Sequence, residues 1–171
     1  MWNKTLATIV TIGAIAIGGS VAAADENEAS GAAVAKYLPT AKVTLQQGLT
    51  AAESQGKPIS GKFEVDEGHF QLSVYTTQDG KFSEVLVDHN TGKVAKTEAI
   101  TGGDDLADAK KQIKACAQSK QSLQSAIDKA EQASAGYQAI GVAPRLSGGH
   151  AVAVVTLLKG THVKSVSEPL E

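Results

Sequence analysis

Along the chain the spacing of apolar positions switches between two periods, about 3.6 residues and 2, and the switches mark the predicted elements. Val43, Leu45, Leu49 and Ala52 recur at helical spacing. Thr40 offers an N-cap, and Gly56 followed by Pro58 offers a stop. From Ile59 the period falls to 2. Residues 59–66, 69–77 and 81–88 alternate and predict three strands. Glu67-Gly68 and Asp79-Gly80 separate them; Asp-Gly suits a tight hairpin because both residues reach positive φ at little cost. Asn90-Thr91-Gly92 turns the chain again, and residues 93–100 predict a fourth short strand or an exit segment. Upstream, residues 25–40 read as a flexible lead-in, with room for a short helix over 32–37 that Leu38-Pro39 ends.

The second half repeats the plan. Gly102-Gly103 breaks the chain, and Asp104 or Asp105 caps a helix striped by Leu106, Ala109, Ile113, Cys116 and Ala117. Leu123, Ile127, Ala130 and Ser134 continue close to the same phase, which predicts one long helix or two with a kink, ended by Gly136. Strands follow over 137–146, 150–158 and 161–167. Pro144 places the first of these at an edge or near a bulge, because proline has no N–H to give to a ladder.

The halves also match residue by residue. Thr44-Leu45-Gln46 corresponds to Ser122-Leu123-Gln124, Leu49 to Ile127, and Ala52-Glu53 to Ala130-Glu131, all at an offset of 78. Gly68-His69 corresponds to Gly149-His150, Gly80 to Gly160, and Val85 to Ser165. Loops absorb such drift in offset. The predicted fold class is therefore α+β: two tandem α-β-β-β units, each a helix packed on its own three-stranded antiparallel sheet. The predicted boundaries are an export signal over 1–24, the lead-in over 25–40, a first unit over 41–100, and a linker helix with the second unit over 104–171.

The helix, the meander and the segment Glu84-Val85-Leu86-Val87-Asp88-His89-Asn90-Thr91-Gly92-Lys93-Val94 resemble the PepSY family, in which a strand runs into an Asp, then Thr-Gly, then Lys-Val. Leu45 to Glu53 also fit. The second unit is similar in architecture but carries Ser167-Glu168-Pro169 where the turn motif would stand. The resemblance implies a small exported or envelope module. Related units in the propeptides of thermolysin-like proteases suggest regulation or inhibition of a protease or of another envelope protein. It implies no catalytic residues.

Composition narrows the classes. With 42% hydrophobic and 20% charged residues the chain suits a folded domain and not a disordered one. Sixteen basic against eighteen acidic residues give a net charge of -2 and a pI near 6.1. That balance removes the electrostatic case for nucleic acid and for a polybasic membrane patch. The single cysteine permits neither an internal disulfide nor a multi-cysteine zinc site. At the N-terminus, Lys4 precedes an uncharged, mostly apolar stretch from Leu6 to Gly19, and Ala22-Ala23-Ala24 supplies small residues before Asp25. This is the pattern of a cleaved export signal. A membrane span needs ~20 apolar residues, and this stretch is shorter and rich in Ala, Gly and Thr. A periplasmic or secreted protein is expected, with no stable membrane anchor after cleavage.

Three constellations carry candidate chemistry. His69 and His150 are equivalent by the repeat, which raises a paired metal site; no local His-x-x-x-His accompanies them, and polar residues at strand starts are the simpler reading. Asp88-His89-Asn90-Thr91-Gly92 has the spacing that opens a calcium loop, but position 12 is Ala99 and the context is strand–turn–strand. A turn held by Asp and Asn side chains is the simpler reading. Cys116 sits on an apolar stripe, which favours a buried core thiol over a nucleophile. No catalytic, cofactor or metal residue is therefore assigned. The expectation is a non-enzymatic exported PepSY-like binding module, docking an envelope or secreted protein, a protease among the candidates, through a sheet face or edge. The alternative is a small-ligand or metal-binding protein of the periplasm.

Overall fold

The computed structural model describes residues 30–171; the predicted export signal, 1–24, and residues 25–29 lie outside them. The first element is a helix over 30–37, α1, closed by a 3-10 turn at Leu38–Thr40. Over residues 30–40 this corrects the expectation of a flexible lead-in, because Val34 and Leu38 are buried and Tyr37 stacks on Phe70 with ring centroids 6.0 Å apart. Thr40 does not cap the next helix; its hydroxyl donates to the Tyr37 carbonyl. The cap is Thr44, whose side chain accepts from the Gln47 N–H while the Gln47 side chain accepts from the Thr44 N–H. This reciprocal capping box starts α2, Leu45–Ala52.

Four strands follow: β1 Lys57–Asp66, β2 His69–Gln78, β3 Lys81–Val87 and β4 Val94–Ile100. The apolar stripe then divides into two helices, α3 Gly103–Cys116 and α4 Leu123–Gln132. Between them the N–H groups of Lys120 and Gln121 both donate to the Leu170 carbonyl, so the intervening backbone is satisfied outside a helix. Ser122 caps α4 as Thr44 caps α2, 78 residues earlier. The chain ends with β5 Gln138–Ser147, β6 His150–Lys159 and β7 His162–Pro169.

The α+β class stands, but the two sheets do not. All seven strands form one antiparallel sheet in the order β4-β3-β2-β1-β5-β6-β7. The joint is a short ladder between β1 and β5, with Gly61 opposite Val142 and Lys62 opposite Gly141. Two three-stranded sheets would each leave one of these strands as an unpaired edge; pairing them removes both edges. Pro144 thus lies in an interior strand, not at an edge. It is tolerated because the β1–β5 register ends at Val142 and a bulge sits nearby, between Ala139 and Gly141.

Gly61 faces the residue 81 positions later, and β1 has its own bulge between Pro58 and Ser60, also 81 positions before that of β5. The halves are therefore related by a local two-fold passing beside Gly61 and Val142. The helices obey it: Gln46 donates to Glu131, and its counterpart Gln124 donates to Glu53, the counterpart of Glu131. Such reciprocal contacts are the mark of a two-fold interface.

α2 packs on β1, β2 and β3, and α4 on β5, β6 and β7, burying Leu45, Leu49, Leu123 and Ile127 against Leu72, Val74, Val142 and Val155. α3 packs on the opposite face, where Ala109 and Cys116 meet Ile59, Tyr75 and Phe82. Neighbouring residues of a strand point to opposite faces, which is why Val74 belongs to the first core and Tyr75 to the second.

Candidate functional site

The α3 face carries the concave site. A cavity of about 240 Å³ opens there. Ser30, Gly31 and Val34 of α1 line it on one side, and Asp108, Lys111 and Gln112 of α3 on another. Its floor is the middle of the sheet, with Lys62 and Glu64 from β1, Gly141, Ala143 and Arg145 from β5, and Val154 and Thr156 from β6. Gly141 has no side chain, and a Cβ built on it would reach Lys62 Cβ and Thr156 Cβ only at 3.7 Å, an ordinary contact. The hollow is therefore real space above β5.

The charged groups of the floor are held unequally. Lys62 Nζ lies 2.6 Å from Glu64 Oε2. Ser73 Oγ donates to Glu64 Oε1 at 2.7 Å, and Gln71 Nε2 donates to the same oxygen at 3.2 Å. Burial by itself would raise the Glu64 carboxyl, but the Lys62 ammonium and these hydrogen bonds outweigh it and hold the group below the usual carboxylate range. Glu84, on the next strand but one, goes the other way: burial pushes it up, Glu64 and Asp105 add to that, and Ser73 opposes it. Burial, with Glu84 and Glu64 near, also pushes the Tyr75 phenol up. On α3, Lys111 Nζ meets Asp108 Oδ1 at 2.7 Å, and Ser60 Oγ donates to Gln112 Oε1 at 2.8 Å. Arg145, the only arginine of the chain, has no ion pair or hydrogen bond among the described residues, and its Nε is buried without a partner.

The structure separates the residues singled out from sequence. His69 opens β2 and His150 opens β6, but the two-fold places these starts at opposite ends of the sheet. By register they stand ten residues apart along the strand direction, on the order of 30 Å. They cannot share an ion, which corrects the paired-metal reading. His150 Nδ1 instead lies 2.9 Å from Glu171 Oε2, and its hydrogen bond holds the Glu171 carboxyl low, helped by the Ala151 N–H. Among the described residues no group of three or more His, Cys, Asp or Glu side chains is placed to hold a metal.

Asp88 builds a turn. Its Oδ1 accepts from the Asn90 and Thr91 N–H groups, both at 2.8 Å, and Gly92 takes φ 70°. Both bonds, Thr91 first, keep its carboxyl low. Cys116 is buried among Ile59, Tyr75 and Phe82, and burial pushes its thiol up, away from the nucleophilic thiolate. Gly141 and Arg145 escaped the sequence reading. The signals that point to them are a glycine inside an apolar strand and the lone arginine of the chain on that same strand.

Among the described residues no helix is long and apolar enough to cross a membrane. Compared with known proteins, the chain matches no family model and no curated sequence. Among solved structures it is similar to a candidate lipoprotein from Clostridium difficile 630, with a TM-score of 0.42 and 17% identity over 77% of this chain and 88% of that one.

Proposed function

We propose that the protein is an exported binding module of PepSY-like architecture that holds a ligand without transforming it, and that the cleft between α1 and α3 is its binding site. The export signal over residues 1–24 and the duplicated helix–strand–strand–strand order support the first part. The observation that carries the second is the hollow above Gly141, walled by two helices and floored by three strands. Ligand sites favour such preformed, mostly apolar concavities with a few polar groups. The ionic partners around the cleft already neutralise one another in two pairs, which suits recognition better than proton transfer.

A small-fragment screen followed by amide NMR tests this. Fragments that bind should move the signals of Gly61, Gly141 and Thr156. Gly141→Val, which fills the hollow from a strand position open to any residue, should abolish those shifts. Shifts that persist in Gly141→Val, or that fall only outside the cleft, would refute the reading.

A second reading, docking of an envelope or secreted protein such as a protease, draws on β4. That strand pairs only with β3, so its outer backbone groups are free to receive another strand. Its exposed Lys96–Glu98 pair, 2.9 Å apart, is the kind of edge charge that discourages strand addition, and the cleft reading ranks above it for that reason.

A further inference from the structure

We infer that the ligand of the cleft is a small carboxylate with an apolar body, its anionic end on Arg145; this inference rests on the cleft being a binding site. Five charged side chains line the cleft: the cations Lys62, Lys111 and Arg145, and the anions Glu64 and Asp108. Lys62 pairs with Glu64 and Lys111 with Asp108. Three cations less two anions leave one positive charge, and it belongs to Arg145. The Arg145 Nε is dry and unpartnered. A buried donor without an acceptor is unfavourable, and an incoming acceptor recovers that loss.

Glu64 cannot serve as that acceptor. Gly61 faces Val142, and Glu64 and Arg145 each lie three residues beyond that pair in opposite directions. Six strand residues correspond to about 20 Å, beyond the reach of the two side chains.

Three properties of the cleft define the ligand class. A guanidinium presents a planar fork of N–H donors that matches a carboxylate. A doubly charged anion is disfavoured, because the two ion pairs of the lining leave only one positive charge over. The rest of the lining is largely apolar, with Val34, Ala143, Ile140 and Val154 among it. A volume of about 240 Å³ lies below the usual range for drug-sized ligands, so the apolar body is short.

Calorimetry at pH 7 with hexanoate, 1-hexanol, hexylamine and inorganic phosphate tests the assignment, with the cleft amides followed by NMR in parallel. Hexanoate should bind about 10- to 100-fold tighter than 1-hexanol, the factor expected of a charge-assisted hydrogen bond. Hexylamine and phosphate should bind more weakly than hexanoate. Arg145→Gln should bring the hexanoate-to-hexanol ratio near one, and Arg145→Lys should restore part of it, with all forms melting alike. If Arg145→Gln does not fold, the ratio in the unaltered protein still decides.

A ratio near one in the unaltered protein overturns the carboxylate assignment while the cleft reading stands. Phosphate binding as tightly as hexanoate overturns the apolar body. If hexanoate binds only when Asp25, Glu26 and Glu28 are replaced by their amides, the chain's own carboxylates are the partner and the assignment falls. Absence of any shift at the cleft amides, with any probe, overturns the cleft reading itself.

Discussion

The two halves of the sheet occupy equivalent positions and fill them differently. At an offset of 81, Ser60 corresponds to Gly141, Lys62 to Ala143 and Glu64 to Arg145. On β1 all three positions are closed by the protein itself: Ser60 reaches Gln112 of α3, and Lys62 and Glu64 pair with each other. On β5 the matching serine is a glycine, the matching lysine an alanine, and the charge that remains has no partner. On the opposite face the large buried helix positions match. Leu45 and Leu123, Leu49 and Ile127, and Ala52 and Ala130 are all buried in one core. One face of the duplicated scaffold is thus matched for packing, while the other is satisfied in one half and left open in the other.

The largest effect should come from the matched core. Leu49→Ala and Ile127→Ala each empty a fully buried site and should cost about 2–5 kcal/mol. Because the core is shared, both variants should lower a single urea transition. Two separated transitions, each sensitive to one of the variants, would show that the halves are independent.

Next in size is a contrast between the helices. Gly48 of α2 corresponds to Ala126 of α4, and a Cβ on Gly48 would strike Leu72 Cδ2, buried beneath it. Gly48→Ala should destabilise by about 1–2 kcal/mol, because overpacking exceeds the gain in helix propensity. Ala126→Gly should cost about 1 kcal/mol for the opposite reason. A stabilised Gly48→Ala in thermal melts would mean that α2 stands as far from the sheet as the contrast forbids.

The smallest effect is a change in the slope of stability with pH, carried here by two carboxyls of the first half. Glu64 is held below its ordinary 4.5, so the stability it contributes is complete above that value and is lost as pH falls through its folded pKa. Glu84 is raised above 4.5, so its contribution is largest when it is protonated and declines as pH rises from 4.5 through its folded pKa. Glu64→Gln should flatten the acid limb of a stability profile, and Glu84→Gln the decline from pH 4.5 upward. Equal and same-signed changes from the two variants would contradict the assignment of Lys62 to Glu64.

Much of the fold was legible because period and turns are local. The strands fall within two residues of the positions that alternation predicts, as β2 at His69–Gln78 and β6 at His150–Lys159 show. The joint between β1 and β5 was not legible. It consists of backbone hydrogen bonds around Gly61 and Gly141, and backbone pairing across 81 residues leaves no side-chain period to read. The stripe through α3 and α4 keeps one phase, yet the chain changes face between them, where Leu170 from the far end of the sequence accepts two N–H groups. The cleft was least legible. It depends on an absent side chain at Gly141 and an unanswered charge at Arg145, and both become informative only once their neighbours are known.

The short β1–β5 ladder also sets an order of events. Every hairpin in the sheet joins strands that are neighbours in sequence, and such local pairings form early at little entropic cost. Gly61 and Val142 are separated by 81 residues, so their meeting closes the largest backbone loop in the sheet. As the chain emerges N-terminus first, β1 exposes an open edge until β5 has been made. For that interval the nascent first half is a sticky sheet, vulnerable to other chains in the same state.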